Sequence, residues 1–299
     1  MRRAAAVLAL LLLAAAAGCG EGSSAADGRT VVATTTQVAD LVGQVAGERV
    51  SVDGMLHPGG DPHDFEPRPS DVAAVAKADL VFRSGGEVDE WLDDVISSAG
   101  GDADVVSLID SVKRRADDPH WWQDPLNAAR AVETVRARLT ELDPDGAAVY
   151  RRNAERVERR LRGLDKRIAA CLARVPRAKR AIVTTHDALG YFADRYGVRV
   201  VGAVIPSLST QAQASAGDVQ KLVDQIRREG VEAIFPESSV NPDIERAIAR
   251  EAGARIGESL YADSLGPKGS AGETYEGALR HDASALVRGM SGGKVDCRL

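Results

Sequence analysis

Histidine is scarce in this chain, with five in 299 residues, and four of the five stand in conspicuous local contexts. His57 and His63 lie within residues 57–71, a stretch of prolines and adjacent glycines that excludes a helix or a central strand. His120 is framed by two prolines, and His186 follows an apolar, β-branched run. Imidazoles displayed on rigid loops and at strand ends indicate a metal site assembled from distant segments.

The N-terminus has the features of a secretory signal peptide. Arg2 and Arg3 precede an apolar run, residues 4–17, which is followed by Gly18 and Cys19. The run is shorter than the ~20 residues that a membrane-spanning helix needs. The Ala-Ala-Gly-Cys sequence resembles the lipobox of bacterial lipoproteins, which implies acylation of Cys19. The alternative is ordinary cleavage that leaves a free thiol.

Composition narrows the class of protein further. The formal net charge of −6 argues against a nucleic-acid partner. If Cys19 is acylated, Cys171 and Cys297 remain, and an even pair in an exported protein is consistent with a disulfide. The alternative is two separate thiols.

The body of the chain alternates strand-like and helix-like segments twice, which predicts two α/β lobes with parallel sheets. Between the two series lies a long charged segment with apolar residues at helical spacing, which predicts one rigid helix linking the lobes. A break at Gly163 into two shorter helices is the alternative. The predicted divisions are a signal peptide, a flexible tether, an N-terminal lobe, the linking helix and a C-terminal lobe, at 1–18, 19–28, 29–142, 143–176 and 177–299.

Four motifs together resemble the metal-binding solute-binding lipoproteins of zinc and manganese ABC transporters. They are Asp-Pro-His-Asp-Phe-Glu-Pro (61–67), Asp-Pro-His-Trp-Trp-Gln-Asp-Pro (118–125), Thr-His-Asp-Ala-Leu-Gly-Tyr-Phe (185–192) and Tyr-Ala-Asp-Ser-Leu-Gly (261–266). The resemblance extends from about Thr30 to Val287. It implies one divalent metal ion in a cleft between two lobes.

Carried over position by position, the resemblance implies four metal ligands. His63 and His120 come from the N-terminal lobe, and His186 and Asp263 come from the C-terminal lobe. In manganese-selective members the third position is commonly glutamate, whereas here it is His186. The His-rich loop that many zinc-dedicated members carry between the first two motifs is missing.

Three imidazoles and one carboxylate favour Zn²⁺ over Mn²⁺, which prefers oxygen ligands. Binding through both oxygens of Asp263 would raise the coordination number, so Mn²⁺ remains the alternative metal. Because the imidazoles must be deprotonated to bind, we expect affinity to fall steeply below about pH 6.

Each ligating imidazole needs an acceptor for its second ring proton. The candidates are Asp61, Asp64, Asp124 and Glu237, with Glu237 the first choice. His57 is expected to be structural or solvated.

The resemblance implies a non-enzymatic transport receptor. It would be monomeric, extracytoplasmic and anchored through Cys19 to the outer face of the cytoplasmic membrane or in the periplasm. It would deliver its metal to a permease with a cytoplasmic ATPase. A secreted zinc hydrolase is the competing class, with Asp263 as a general base instead of a ligand. A surface-adhesion role is known for some relatives, but no feature of this sequence favours it.

Overall fold

The computed structural model describes residues 28–100 and 103–299. The predicted signal peptide, Cys19 and all of the tether except Gly28 therefore lie outside the described residues. Within the described residues, no helix combines the length and the apolar character needed to cross a membrane.

The N-terminal lobe is built on a four-stranded parallel sheet of order β2-β1-β3-β4. The strands are β1 Thr30–Ala33, β2 Ser51–Gly54, β3 Leu80–Arg83 and β4 Val105–Ser107. The helices that follow the first three are α1 Thr36–Ala46, α2 Pro69–Val75 and α3 Trp91–Ala99. All four strands end at one edge, and the histidine loops begin there.

Two long antiparallel helices, α4 Pro125–Leu142 and α5 Ala147–Leu172, follow the second histidine loop. The predicted linking helix of residues 143–176 is thus shorter, because Pro144–Gly146 forms a separate 3₁₀ turn. Helix α5 is continuous through Gly163, as expected, and its 26 residues span about 39 Å. Its apolar stripe is buried, so tertiary packing compensates for the weak helix propensity of the glycine.

The C-terminal lobe repeats the architecture with a parallel sheet of order β6-β5-β7-β8. Its strands are β5 Ala181–Thr184, β6 Arg199–Ala203, β7 Ala233–Phe235 and β8 Arg255–Ile256. Its helices are α6 Gly190–Tyr196, α7 Ala216–Glu229, α8 Asp243–Ala252 and α9 Tyr275–Met290. The expected fold class, two parallel-sheet α/β lobes joined by one long helix, is confirmed.

One apolar core runs continuously through both lobes. Residues of α1, α4 and α5 share it with residues of α9, β5 and β7, and Trp121 and Trp122 lie within it. A close-packed interior of this kind resists sliding of its parts. The two lobes are therefore held together by packing as well as by the linking helix.

A disulfide joins Cys171, near the end of α5, to Cys297 in the C-terminal tail across 126 residues of sequence. Loop-closure entropy predicts that it stabilises the fold by about 4–5 kcal/mol. We therefore expect the double variant Cys171→Ser, Cys297→Ser, in a chain starting at Gly28, to unfold at a clearly lower urea concentration. A loss below about 1 kcal/mol in the free energy of unfolding would contradict this expectation.

Candidate metal centre

The two N-terminal histidines are presented by the same local device, an Asp-Pro-His turn. The carboxylate of Asp61 accepts a hydrogen bond from the backbone N–H of His63 at 2.9 Å. The carboxylate of Asp118 does the same for His120, also at 2.9 Å. The intervening proline restricts the backbone, so each turn holds its histidine in one orientation.

The two C-terminal residues follow strands of the second sheet. His186 comes two residues after β5, and its backbone carbonyl accepts from Thr184 Oγ1 at 2.6 Å. Asp263 lies in the loop between β8 and α9 and is 1 % exposed. The carboxyl edges of both sheets therefore face each other, and the cleft between them receives two side chains from each lobe.

His63, His120, His186 and Asp263, called here the four-residue cluster, come together in the structure. One potential ligand atom from each lies within 4.8 Å of every other, and all four residues are buried. Nε2 of His186 is 3.2 Å from Nε2 of His120 and 3.1 Å from Oδ2 of Asp263. Nε2 of His63 is 3.3 Å from the same oxygen.

These separations suit a small cation at the centre of the cluster. With zinc–nitrogen bonds of 2.0–2.1 Å, the ligand atoms of a tetrahedral site stand about 3.3 Å apart. Both carboxylate oxygens of Asp263 and Nε2 of His63 are buried without a hydrogen-bond partner of acceptable geometry. Buried polar atoms rarely lack partners, and a coordinated metal ion would satisfy these.

The ring nitrogens that face away from the cluster are bonded to carboxylates. Nδ1 of His186 lies 2.6 Å from Oε1 of Glu237, and Nδ1 of His120 lies 2.8 Å from Oδ1 of Asp118. A carboxylate accepts, so each Nδ1 carries a proton, and Nε2 is the ring nitrogen that faces the cluster. This is the arrangement that metal-ligating histidines require.

Glu237, the first choice among the candidate acceptors, thus lies against His186, and Asp118, which was not among the candidates, lies against His120. Asp61 caps its turn and accepts from Thr210 Oγ1 at 2.7 Å, Asp64 is exposed, and Asp124 caps α4. A signal for Asp118 was present, since it precedes His120 by the same two residues that separate Asp61 from His63.

Charge in the cluster is balanced by a proton when no metal is bound. Burial on its own would lower the pKa of His186, but the Glu237 and Asp263 carboxylates outweigh it and raise that pKa well above 6.5. Burial would raise the pKa of Asp263, yet His186 and His120 hold it well below its usual range. Below this raised pKa, we therefore expect metal binding to release a proton from His186.

The remaining histidines lie outside the cluster. His57 is exposed, with Nε2 3.2 Å from the guanidinium of Arg68, which agrees with a structural or solvated role. His281 lies on α9 and donates from Nε2 to the carbonyl of Ser259 at 2.9 Å.

The cleft is closed by contacts between the lobes. Trp122 lies edge-on to His120, with ring centroids 5.3 Å apart, and its Nε1 donates to the carbonyl of Ala262 at 2.8 Å. On the opposite side, the backbone N–H of Gly59 donates to Leu265 O and Ser264 Oγ, both at 2.9 Å. The first histidine loop is thus bonded directly to the loop that carries Asp263.

We expect the two supporting carboxylates to matter for metal affinity. Glu237→Gln and Asp118→Asn keep the shape of the side chain but remove its charge, so each should weaken zinc binding about 10–100-fold. The exposed Asp64→Asn, in the first histidine loop, is the control and should bind as the parent does. Zinc titration calorimetry measures all three, and parental affinity in both buried variants would contradict the assignment.

The chain is similar over most of its length to known metal-uptake and metal-binding proteins. The family model described as "Zinc-uptake complex component A periplasmic" matches residues 31–289. The manganese-binding lipoprotein MntA of Bacillus subtilis is 33% identical over 291 residues, which cover 91% of this chain and 94% of MntA. The iron-binding protein YfeA of Yersinia pestis is 28% identical over 268 residues, which cover 87% and 86%.

Among solved structures, the periplasmic zinc-binding protein TroA of Treponema pallidum superposes with a TM-score of 0.82 and 28% identity. The match covers 88% of this chain and 99% of TroA. The names of these three proteins specify three different metals, manganese, iron and zinc. The similarity therefore identifies metal binding without identifying the metal.

Proposed function

Because the chain belongs to the family of periplasmic metal-uptake components, the extracytoplasmic metal-binding lipoproteins of ABC transporters, we propose that its cargo is one zinc ion held by the four-residue cluster. The observation that carries this proposal is the convergence of three inward-facing Nε2 atoms on a buried carboxylate without hydrogen bonds. Three neutral imidazoles and one carboxylate leave a divalent ion with net charge +1.

The donor set supports zinc over manganese. Nitrogen-rich sites suit Zn²⁺, and the general affinity order of divalent metals also places zinc above manganese. Manganese, alone or together with zinc, is the alternative, and one observation favours it. Both oxygens of Asp263 are free of hydrogen bonds, so bidentate binding could supply the additional oxygen that Mn²⁺ prefers.

A hydrolytic role has less support. A catalytic zinc keeps one coordination position open for water, whereas four protein ligands complete a tetrahedral shell. Asp263 lies 3.1–3.6 Å from the Nε2 atoms of all three histidines, which is the distance expected of a fellow ligand. The chain would thus carry metal without transforming a substrate.

In this proposal the chain hands its metal to a permease driven by a cytoplasmic ATPase, and acylated Cys19 holds it at the membrane surface. The buried cluster supports a delivery role, because metal protected from solvent must be released by a change in protein contacts. The continuous core across the lobes supports release by local loop movement instead of a wide opening.

The test is calorimetric titration of metal-stripped protein starting at Gly28 with Zn²⁺ and Mn²⁺, separately and in competition. We expect one-to-one zinc binding that manganese does not displace, and loss of that binding in His186→Ala. Preferential manganese binding would support the alternative that manganese is the cargo. Unchanged zinc binding in His186→Ala would overturn the ligand assignment.

A further inference from the structure

We propose that Arg115 is a positioning residue for metal binding. Its guanidinium links the Asp118 carboxylate, which bonds to the His120 ring, to helix α6, which follows His186. The inference rests on the proposed function. It concerns a residue that contacts no metal ligand directly and acts through Asp118.

The geometry begins in a tight turn. Arg115 and Asp118 form an antiparallel bridge, and Ala116 between them adopts a left-handed conformation with φ of 44°. This conformation is unfavourable for a residue with a side chain, so the surrounding contacts must maintain it. The turn therefore holds Asp118, and with it His120, in a defined position.

The guanidinium of Arg115 spans the two lobes. Its NH1 donates to Oδ2 of Asp118 at 3.1 Å, on the carboxylate whose other oxygen accepts from the His120 ring. Its Nε donates to Oδ2 of Asp194 on α6, at 2.9 Å. One side chain thus connects the N-terminal ligand support to the C-terminal lobe.

Tyr191 on α6 strengthens the same connection. Its hydroxyl accepts from the backbone N–H of Arg115 at 2.8 Å and donates to the carbonyl of Asp118 at 3.3 Å. Gly190, the first residue of α6, makes this close approach possible, since an added Cβ would collide with the Arg115 guanidinium and the Asp118 carboxylate. The turn therefore rests directly on the N-terminal end of α6.

The contact between the turn and α6 affects the distance between His120 and His186 in the metal site. Helix α6 begins four residues after His186, so a turn held on α6 sets the position of His120 relative to His186. Their Nε2 atoms stand 3.2 Å apart, which matches neighbouring ligands of one tetrahedral ion. Loosening Arg115 should let these two ligands separate, and the main effect should be faster metal release.

A purely structural role makes a different prediction. The Arg115 side chain is 39 % exposed and borders an open cavity of about 520 Å³, so its truncation leaves no buried void. Stability of the metal-free protein should therefore change little. Metal release is the measurement that separates positioning from general stabilisation.

The experiment compares Zn²⁺-loaded parent, Arg115→Ala, Tyr191→Phe and Arg114→Ala proteins. Arg114 is the matched control, because it is exposed and pairs with Asp110 within its own segment. Zinc release into excess chelator is followed by stopped-flow tryptophan fluorescence, and urea unfolding of the metal-free proteins is measured alongside. We expect release to be about tenfold faster in Arg115→Ala, several-fold faster in Tyr191→Phe and unchanged in Arg114→Ala.

Release within twofold of the parent in Arg115→Ala would overturn the inference, as would an equal acceleration in Arg114→Ala. A lower unfolding midpoint with an unchanged release rate would assign Arg115 a structural role and would also overturn it. Failure of the parent to bind zinc would be a failure of the proposed function, and this result is distinguishable because it appears before any variant is compared.

Discussion

Replacing Asp263 by asparagine should reduce zinc affinity by about 1,000-fold, the largest effect that we expect from a substitution that preserves side-chain volume. The variant keeps the volume of the side chain but removes the one carboxylate of the four-residue cluster. The site is buried, and removing one partner of a buried charged pair costs about 3–5 kcal/mol. At about 1.4 kcal/mol for each factor of ten, this corresponds to roughly three orders of magnitude.

The matched control is Asp282→Asn. Asp282 is a buried acid on α9 close to the same loop, and it accepts from the backbone N–H of Tyr261 at 2.9 Å. Burial raises the pKa of Asp282 to about 8, so this side chain is mainly protonated at pH 7 and an amide should replace it with little effect. Calorimetry should show parental zinc binding in Asp282→Asn. Equal losses in the two variants would mean that the effect arises from disturbed packing instead of lost coordination.

Zinc affinity should begin to fall at a higher pH than ordinary imidazoles would predict. The sequence alone suggested a loss below about pH 6. The raised pKa of His186 in the metal-free protein changes this expectation, because zinc must displace a proton at any pH below that pKa. The pKa of Asp263 is lowered, so this carboxylate stays ionised over the same range. Affinity should therefore rise about tenfold for each pH unit as the pH increases towards the pKa of His186.

Zinc titrations between pH 5 and pH 8, repeated in buffers of different ionisation enthalpy, would measure both the affinity and the number of protons released. Glu237→Gln provides the internal comparison, because it removes one of the two carboxylates that raise the pKa of His186. The loss of affinity in that variant should begin at a lower pH than in the parent. An affinity that stays constant from pH 8 to pH 5 would contradict a three-histidine site.

Much of the scaffold followed from local sequence. The β-branched runs form strands near where they were expected, and the charged segment with its apolar stripe forms one helix through Gly163. These features depend on periodicity and propensity, which act over a few residues. The bounds of α5 differ because Pro144 closes a separate turn just before it.

The candidate ligands could be predicted from the sequence for a similar reason. An Asp-Pro-His turn is a local structure, in which the aspartate carboxylate accepts from the backbone N–H of the histidine. That the four side chains share one point came from the family resemblance, because local pattern contains no information on distances between residues 63 and 263.

The sequence by itself therefore determined the kinds of elements, the two-lobed organisation and the residues able to bind metal. The tertiary structure decided which partners those residues have. Cys171 joins Cys297, and Arg115 reaches across to α6. Each of these contacts joins segments separated by more than 70 residues. Such contacts form only when packing of both sheets and the shared core brings the segments together, since chain proximity contributes nothing at that separation.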